Sequence, residues 1–427
     1  MNTLNIGLIG VGTVGSGLLE ILAEEKAHIL SMTGIELNLI SVCDKDSSKI
    51  PSTFKGNIFS EYKQITEDPN IHMVVELVGG TGIALEIQKS AIQNGKYIIT
   101  ANKALLSEKG DELFSLAEEK NVEIGYEASV GGAIPLIRSI KTGLVSNQFT
   151  SILGILNGTT NFILTKMEEE EMEYDAALSL AQKLGFAEAD PTFDVEGIDA
   201  AHKLSLVSSL AFNEKVSVHD ISIEGISKIS KSDIQAAKRL GLRIKLLAIA
   251  KKNSDGIEVR VSPTMIPVTH PIASVRNEMN AIYFETSYSG PSMLMGKGAG
   301  SLPTASAIIS DLVFYGNRRL NNNRLFEKSL FETKNTNKIL ETKTKFYLKL
   351  KIVDKPGVLG MITSLLGKKN ISIASLRQNE SDSAIVELII LTHIANEKDL
   401  RLALNEIDLQ KESVKEKSVM IRLEDIT

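Results

Sequence analysis

In the first part of the chain, short hydrophobic runs alternate with stretches of helical hydrophobic spacing. Leu4–Ile9 is an apolar run that ends at the glycine-rich stretch 10–15, and apolar residues then recur with helical spacing from Leu18 to Leu22. Further strands are predicted at Leu37–Cys43, Met73–Val78, Tyr97–Thr100 and Val122–Gly125, and helices at Ala84–Asn94 and Gly110–Lys120. This alternation predicts an α/β domain with a doubly wound parallel sheet over residues 1–132.

After Gly131–Pro135 the pattern changes, and helices mix with β-like runs in no strict alternation. Helices are predicted at Ile134–Leu144, Asn161–Glu169, Tyr174–Leu184, Gly197–Ala211 and Ser232–Gly241, and strands at Phe149–Leu156, Ile244–Lys251, Glu258–Met265 and Ala281–Ser287. We interpret residues 133–302 as an α+β domain. A glycine loop at Gly296–Gly300 then precedes a helix, 303–315, that we expect to pack back on the first domain and complete it.

The last part of the chain predicts a small third domain. Residues 316–342, rich in Asn, Arg, Lys and Thr, indicate a solvated linker. In 343–427 the predicted order is strand Lys345–Ile352, helix Val358–Lys368, strands Ile371–Arg377 and Ser383–Leu391, helix Glu397–Ile407 and strand Ser418–Leu423. This βαββαβ order is typical of a ferredoxin-like domain.

Composition excludes several classes of protein. The 427 residues are 43% hydrophobic and 23% charged, which is typical of globular domains. A net charge of −6 provides no basic surface for nucleic acid. The apolar runs are too short for a membrane span, and no signal peptide precedes the first strand. The single cysteine, Cys43, excludes an internal disulfide and indicates a reducing, cytoplasmic location.

Gly10, Gly12 and Gly15, with Thr13 and Val14 between them, form a complete G-x-G-x-x-G at the junction of the first strand and helix. The first glycine turns the chain, the second lets a pyrophosphate approach the backbone, and the third lets the helix pack on the strand. The helix N-terminus attracts the anion. We predict a Rossmann-type site for NAD or NADP; a glycine turn without a ligand is the alternative.

Two further positions are expected at the carboxyl edge of this sheet. Asp44 follows the second strand, where an acid accepts hydrogen bonds from the adenosine ribose and repels a 2′-phosphate. This favours NAD, although Lys45 and Lys49 would offset it for NADP, and a simple turn acid is the alternative. Thr100 and Lys103 follow another strand. Lys103 can reach a cofactor or a substrate carboxylate there, unless it is only a solvated lysine.

Residues 181–203 concentrate acidic side chains just before a lysine. Asp199 and Lys203 are four residues apart and share a face if the run is helical, while Glu188, Asp190 and Asp194 lie on the preceding loop. Several carboxylates around one lysine can bind the ammonium group of a ligand and can hold the lysine in place as a proton donor. A solvated helix start is the alternative.

A nicotinamide-dependent aldehyde reduction needs a proton donor for the new alkoxide. Lys203 is the candidate donor, and Asp199 would orient it. Cys43 lies in the second strand as a small buried hydrophobe, which disfavours a thiol mechanism. His202 is turned about 100° away from Lys203 on a helix, and we interpret it as structural.

Several of these motifs resemble homoserine dehydrogenases. The stretch 181–203 matches the family signature at Asp190-Pro191, Asp194, Gly197, Asp199 and Lys203, and other matching segments are Val75–Gly80, Thr100–Lys103, Glu127–Pro135 and Gly154–Asn161. The resemblance spans residues 1 to about 320. It implies the NAD(P)H-dependent reduction of L-aspartate 4-semialdehyde to L-homoserine, in threonine, methionine and isoleucine biosynthesis, by a catalytic and dimerisation domain at 133–302. With no kinase-like segment before residue 1, it implies the single-function form.

The resemblance also implies roles for individual residues. Lys203 corresponds to the proton donor, with Asp199 beside it. Glu188 corresponds to the acid that binds the substrate amino group, supported by Asp194, and Lys103 to a lysine near cofactor and substrate.

Two loops have counterparts in the family as well. Backbone carbonyls of one loop hold a sodium ion there, and the matching positions are Glu127, Val130, Gly132 and Ile134. The loop that ends at Gly300 matches one that closes on the cofactor.

Residues 346–424 resemble an ACT domain through Leu350–Leu359 and Asn370–Ile373. Such domains bind small amino acids, generally between paired copies. The resemblance therefore implies feedback inhibition by threonine and a homodimer or homotetramer. Asp354, Gly357 and Asn370 are candidate effector contacts; a turn and a strand cap are the alternative.

Two other functions agree less well with the residues. A 2-hydroxy acid dehydrogenase with an ACT tail would need a histidine–acid pair and an arginine at the crevice, and no matching spacing occurs. An amino-acid sensor on an inactive dehydrogenase scaffold would not need Lys103, Asp199 and Lys203, which are all present.

Overall fold

The structure is a computed structural model that describes residues 2–321, 341–378 and 384–424. Most of the predicted linker, 322–340, lies outside these ranges. Its first residues belong instead to a helix that continues to Leu320, so the predicted linker start at residue 316 is wrong. Within the described ranges, no helix is both long and apolar enough to cross a membrane.

The N-terminal domain contains the predicted Rossmann-type parallel sheet. Its strands are β1 (Asn2–Ile9), β2 (Ile35–Cys43), β3 (Asn57–Phe59), β4 (Met73–Glu76), β5 (Tyr97–Thr100) and β6 (Ile124–Gly125), in the order β3-β2-β1-β4-β5-β6. Its helices are α1 (Thr13–Glu24), α2 (Lys26–Thr33), α3 (Lys63–Thr66), α4 (Ile83–Gln93) and α5 (Lys103–Lys120). The strand order reverses direction between β1 and β4, which places a crevice at their carboxyl ends.

Several elements of this domain differ from the sequence prediction. The short elements α2, β3 and α3 were not predicted, because their hydrophobic periodicity is weak. Helix α5 begins at Lys103 instead of Gly110, since the Asn102 side chain caps it by accepting from Leu105 N at 3.1 Å.

The second domain packs helices on a mixed sheet. Its elements are α6 (Leu136–Arg138), β7 (Phe149–Ile155), α7 (Gly158–Glu169), α8 (Tyr174–Lys183), α9 (Thr192–Val195), α10 (Ile198–Phe212), β8 (Ser222–Ile223), α11 (Lys231–Arg239), β9 (Leu242–Asn253), β10 (Gly256–Pro267), β11 (Met279–Thr286) and β12 (Gly290–Lys297). The predicted helix Ile134–Leu144 is wrong in detail, because α6 passes into a π-helical turn at Ser139–Gly143. Strand β12 was missed, since glycine, proline and serine dilute its pattern.

Helix α12 (Ser301–Leu320) returns the chain to the first domain. Ser301 Oγ donates to the carbonyl of Thr13 at 2.6 Å, and Gly17 of α1 leaves no room for a Cβ against Ser301. Gly316 approaches Leu4 of β1 just as closely. These contacts anchor α12 on the N-terminal domain.

The C-terminal domain is ferredoxin-like, as predicted. Its elements are β13 (Lys343–Val353), α13 (Val358–Lys368), β14 (Ile373–Gln378), β15 (Ile385–Thr392), β16 (Ala395–Asn396), α14 (Glu397–Asp408) and β17 (Val419–Leu423). The main strands have the order β17-β13-β15-β14. This order and the βαββαβ connection are those of an ACT domain.

The second and third domains share one continuous sheet. Strand β17 pairs in parallel with β10, at Thr264 with Arg422 and at Met265 with Leu423. Ion pairs centred on buried residues flank this seam: Glu424 binds both Arg260 and Lys251, and Arg422 binds Glu397 and Glu224. The third domain is therefore joined to the sheet of the second domain through backbone hydrogen bonds and ion pairs.

Candidate active site

The glycine turn at the N-terminus of α1 has the geometry that a dinucleotide needs. Gly10 has a φ of 100°, and a Cβ there would lie 2.7 Å from the backbone carbon of Leu77. A Cβ on Gly15 would collide with Gly10 O. A Cβ on Gly12 would meet no atom within 4 Å, so this glycine faces open space at the start of the helix. That space is where a pyrophosphate would approach the backbone.

Asp44 forms two hydrogen bonds to backbone amides, one of them within the glycine turn. Its Oδ2 accepts from Val11 N inside the glycine turn at 2.6 Å, and its Oδ1 accepts from Asp46 N at 2.9 Å. The side chain is therefore fixed at the carboxyl end of β2, beside the glycine turn. The neighbouring Cys43 is buried, and burial and Asp44 raise the pKa of its thiol to about 11, which leaves it protonated and unreactive.

Glu76 positions the other side of the crevice, and sequence reasoning missed it. It is fully buried at the end of β4, where its carboxylate accepts from Thr100 Oγ1 at 2.9 Å and from Gln88 Nε2 at 2.8 Å. Thr100 in turn accepts from Asn102 N, and Asn102 caps α5. This chain of hydrogen bonds fixes the first turn of α5, where Lys103 lies. The sequence did contain a signal for Glu76, since an acidic residue at the carboxyl end of a predicted central parallel strand is expected to face the crevice.

Asp199 lies between two lysines that come from different domains. Its Oδ2 is 2.7 Å from Lys203 Nζ, one turn later on α10, and its Oδ1 is 2.6 Å from Lys103 Nζ on α5. Asp199 and Lys203 are almost completely buried, whereas the Lys103 side chain is 31% exposed. The structure thus brings the three candidate catalytic residues together at the crevice.

Asn157 completes this cluster and was not singled out from the sequence. Its Nδ2 donates to Asp194 Oδ1 at 2.7 Å and to Asp199 Oδ2 at 2.9 Å, while its Oδ1 caps α7 by accepting from Thr160 N. The carbonyl of the preceding residue, Leu156, accepts from Lys203 Nζ at 2.7 Å. An asparagine at a strand-to-helix junction, inside a motif already noted, was the signal that could have indicated it.

The cluster shifts the pKa of each buried member. Burial alone would raise the pKa of Asp199, but the positive charges of Lys203 and Lys103 outweigh it and hold that pKa well below its usual range. Burial lowers the pKa of Lys203, and Lys103 adds to this effect while Asp199 opposes it. Burial raises the pKa of Asp194, and the negative charge of Asp199 adds to this. Asp199 is therefore a carboxylate, and the Lys203 ammonium is more acidic than a free lysine.

The remaining acids of the 181–203 stretch lie further from the lysines. Glu188 is exposed on the loop between α8 and α9, and its carboxylate contacts no other described residue through a hydrogen bond or ion pair. Asp190 is also exposed and accepts only from Thr192. His202 faces away, as expected: it bonds Ser107 Oγ at 2.6 Å and stacks on Phe193.

The loop predicted to hold a cation folds against the end of β12. The Glu127 carboxylate does not point into this loop, because it accepts from Ile137 N and Arg138 N at 2.7 and 2.9 Å. The Ile134 carbonyl accepts from Leu136 N, whereas those of Val130 and Gly132 accept no hydrogen bond from a described residue. Two unused carbonyls on a glycine-rich turn fit a hard cation, which prefers oxygen ligands.

The predicted effector contacts fall at two separate places in one chain. Asp354 and Gly357 form the turn before α13, where Gly357 has a φ of 91° and Asp354 accepts from Gln378. Asn370, with a φ of 58°, follows the opposite end of the 11-residue helix α13, about 16 Å away. The three residues do not form one site within a single chain.

A Rossmann-type domain whose crevice holds a buried lysine–aspartate pair, followed by an ACT domain, defines a regulated nicotinamide-dependent dehydrogenase. Family models agree with this: residues 10–127 match the homoserine dehydrogenase NAD-binding domain, 135–313 match homoserine dehydrogenase, and 346–408 match the ACT domain. The chain belongs to the homoserine dehydrogenase family, and its function is that of a homoserine dehydrogenase with an ACT domain for regulation by an amino acid. The reading as an inactive sensor is not supported.

Individual relatives match over most or all of the chain. Homoserine dehydrogenase of Neisseria gonorrhoeae is 40% identical, with all of both chains covered, and that of Bacillus subtilis is 37% identical over 96% of this chain and 97% of its own. The crystal structure of a homoserine dehydrogenase from Thiobacillus denitrificans superimposes with a TM-score of 0.93 at 38% identity, covering 100% of this chain and 99% of that one. A hyperthermophilic archaeal homoserine dehydrogenase in complex with NADPH gives a TM-score of 0.61 at 26% identity, covering 74% and 98%.

Replacing Asn157 by alanine is expected to lower kcat about tenfold or more and stability by about 1–3 kcal/mol, because Asp194 and Asp199 lose their shared donor. Steady-state kinetics and thermal unfolding would measure both. Asn161→Ala is the matched control: Asn161 is also a buried amide on α7, but it bonds Lys245 and Met279 O away from the cluster. It should lose stability and retain kcat. Equal kcat losses in both variants would contradict a specific role for Asn157.

Proposed function

We propose that Lys203 exchanges the proton of the reaction and that Asp199 positions it. The observation that supports this is a buried ammonium 2.7 Å from a buried carboxylate, at the crevice where Lys103 of the nucleotide-binding domain reaches the same carboxylate. A lysine whose pKa is lowered by burial is suited to general acid–base work. The pairing with Asp199 keeps its side chain in one orientation.

In homoserine oxidation, neutral Lys203 accepts the proton of the substrate hydroxyl as the carbinol hydrogen leaves as hydride. When bound, the nicotinamide supplies the hydride acceptor for oxidation and the donor for reduction. In reduction of aspartate 4-semialdehyde, the Lys203 ammonium returns the proton to the alkoxide. Lys103, partly exposed beside Asp199, is placed to bind the substrate carboxylate or the cofactor.

We propose that the substrate ammonium binds on the acidic side of the cluster. Asp194 is held toward the site by Asn157, and Glu188 lies on the exposed loop that leads to it. Since the Glu188 carboxylate forms no hydrogen bond or ion pair with a described residue, it is available to a ligand.

The cofactor contacts that we propose are the glycine turn and three further segments: Gly10, Gly12, Thr13, Val14, Gly15, Asp44, Thr100, Lys103 and Gly300. Gly300, with a φ of 125°, starts α12, and the adjacent Ser301 bonds Thr13 within this turn. We propose NAD as the preferred cofactor, with NADP as an alternative. The fixed carboxylate of Asp44 would repel a 2′-phosphate.

Asp44→Asn is expected to raise the ratio of kcat/KM with NADP to kcat/KM with NAD by about tenfold, equivalent to ~1.4 kcal/mol. The amide oxygen can still accept from Val11 N, while the negative charge is lost. Kinetics with both cofactors would measure the ratio. Asp46→Asn serves as the control, since Asp46 is exposed and caps only a short turn. An unchanged ratio in Asp44→Asn would contradict discrimination at this position.

We further propose that the Glu127, Val130, Gly132 and Ile134 carbonyls form a sodium site, supported by the two carbonyls that accept no described hydrogen bond. Activity should then be higher in sodium chloride than in choline chloride.

We also propose a homodimer or homotetramer. Because Asp354 and Gly357 lie at the opposite end of α13 from Asn370, a threonine site that uses all three residues would need two copies of the chain.

The functional units that we propose are residues 1–132 with helix 303–315 for the cofactor, 133–302 for catalysis and dimerisation, and 343–427 for regulation. A cytoplasmic location is supported by the single buried cysteine.

One assay tests the proposed catalytic roles and the proposed effector: steady-state oxidation of L-homoserine with NAD and with NADP, with and without L-threonine. No turnover with either cofactor would overturn the catalytic roles, and equal rates with and without threonine would overturn the effector.

A further inference from the structure

A cavity of about 370 Å³ lies between the ACT domain and the catalytic domain. One wall is the loop after β8, with Glu224, Gly225 and Lys228, and the opposite wall is α14 together with β17. The cavity is not at the Asp354–Gly357 turn or at Asn370, and it does not open on the cofactor crevice. Its volume is in the range of sites for small molecules, about 300–1,000 Å³.

The cavity combines an apolar floor with a charged rim. Ile229, Leu404 and Ile421 are buried and form the floor. Side chains of both charges also line the cavity: Glu224 and Asp408 are acidic, and Lys228, Arg401 and Lys417 are basic. A ligand that fits must therefore have an apolar body and charged groups of both signs.

Several of these charges are left available to a ligand. Lys228 and Lys417 are exposed and have no ion-pair partner among the described residues. Glu224 accepts from Arg422 at 3.0 Å and from Arg401 at 3.3 Å, but both bonds use Oε2. Its Oε1 therefore remains to accept from an ammonium group, and the two lysines remain to bind a carboxylate.

We propose that this cavity binds a small aliphatic α-amino acid, with its carboxylate at Lys228 and Lys417, its ammonium at Glu224, and its side chain on the apolar floor. This inference rests on the proposed function, because such a ligand is a regulator of that active site. It is a site separate from the turn before α13, and one chain suffices to build it.

The cavity wall is in direct contact with the segment that carries Asp194 and Asp199. Ile226 N donates to Val195 O at 2.8 Å, and a Cβ on Gly225 would collide with Val195 O and Glu196 Cα. Gly197, with a φ of 83°, packs on Ile223 just before Asp199. Binding against Glu224 and Gly225 therefore acts on the turn 194–197, between Asp194 and Asp199.

The test is calorimetric titration of the full-length protein with L-isoleucine and L-methionine as probes. The double variant Lys228→Glu/Lys417→Glu should bind at least tenfold more weakly than the unmodified chain. Lys411→Glu, an exposed lysine that follows α14 without lining the cavity, and Asn370→Ala, at the ACT loop, should bind as the unmodified chain does. With a probe bound, hydrogen exchange should slow at residues 192–200 and 222–230.

Absence of saturable binding of both amino acids, or binding lost in Asn370→Ala and kept in the double lysine variant, would overturn the proposal. Homoserine turnover measured without any amino acid separates this outcome from a failure of the catalytic assignment. A chain that binds the probes at the cavity but does not oxidise homoserine would overturn only the latter.

Discussion

Lys203→Ala is expected to lower kcat for homoserine oxidation by about 10²–10⁴-fold, the usual contribution of a positioned acid–base group. KM for homoserine should change much less, because Lys103, Asp194 and Glu188 remain for binding. Asp199 keeps Lys103 as its partner at 2.6 Å, so the variant does not leave a buried carboxylate unpaired. Steady-state kinetics in both directions, with circular dichroism to verify folding, would measure the effect.

Lys245→Met is the matched control for Lys203→Ala. Lys245 is also a buried lysine, and burial lowers its pKa to about 7, but it bonds Asn161 Oδ1 and Val275 O away from the crevice. Its loss should alter stability and spare kcat. A Lys203→Ala enzyme with unchanged kcat would rule out the proposed mechanism, whatever the control does.

The pH dependence follows from the direction of the Lys203 shift. Oxidation needs the neutral amine, so its rate should rise with pH through the Lys203 pKa, whereas reduction needs the ammonium and should fall over the same range. Burial lowers this pKa below that of a free lysine, which moves both transitions toward neutral pH.

Asp199→Asn is expected to cost about 3–5 kcal/mol of folding free energy at neutral pH, because it leaves the buried Lys203 ammonium without its counter-ion. Activity should fall as well, since Lys203 and Lys103 both lose the group that orients them. Urea unfolding, together with hydrogen exchange at the amides of α10, would measure the loss. Asp190→Asn is the control: Asp190 is exposed, bonds only Thr192, and should change stability little.

The sign of the pH effect on Asp199 can also be stated. Its folded pKa lies below the unfolded value of about 4, so its contribution is present above that pH and is lost as the pH falls. The stability difference between the unmodified protein and Asp199→Asn should become smaller as the pH rises through the lowered pKa of Lys203. A neutral amine loses less solvation free energy on burial than an ammonium group does. If this stability difference did not change with pH, the unpaired Lys203 ammonium could not be its cause.

Local patterns in the sequence predicted much of the fold. The strand, glycine turn and helix at residues 2–24, the Tyr97–Thr100 strand and the Val358–Lys368 helix agree with the structure at or near their bounds. Errors occurred where tertiary contacts override periodicity. Residues 290–297 have few regularly spaced apolar side chains, yet they form β12 because they pair with β11 along its length. The helix predicted at 134–144 is interrupted by a π-helical turn, close to the Glu127 carboxylate that caps its start.

The sequence by itself determined the class of chemistry and the contact of Asp199 with Lys203, because a glycine turn and a helical i,i+4 pair depend only on neighbours along the chain. Tertiary structure alone decided that Lys103 reaches the same carboxylate from another domain, that Asn157 and Glu76 hold the cluster in place, and that the ACT sheet is joined to the catalytic sheet beside a cavity. Each of these joins residues that are far apart in sequence, and which distant segments meet depends on how whole elements pack.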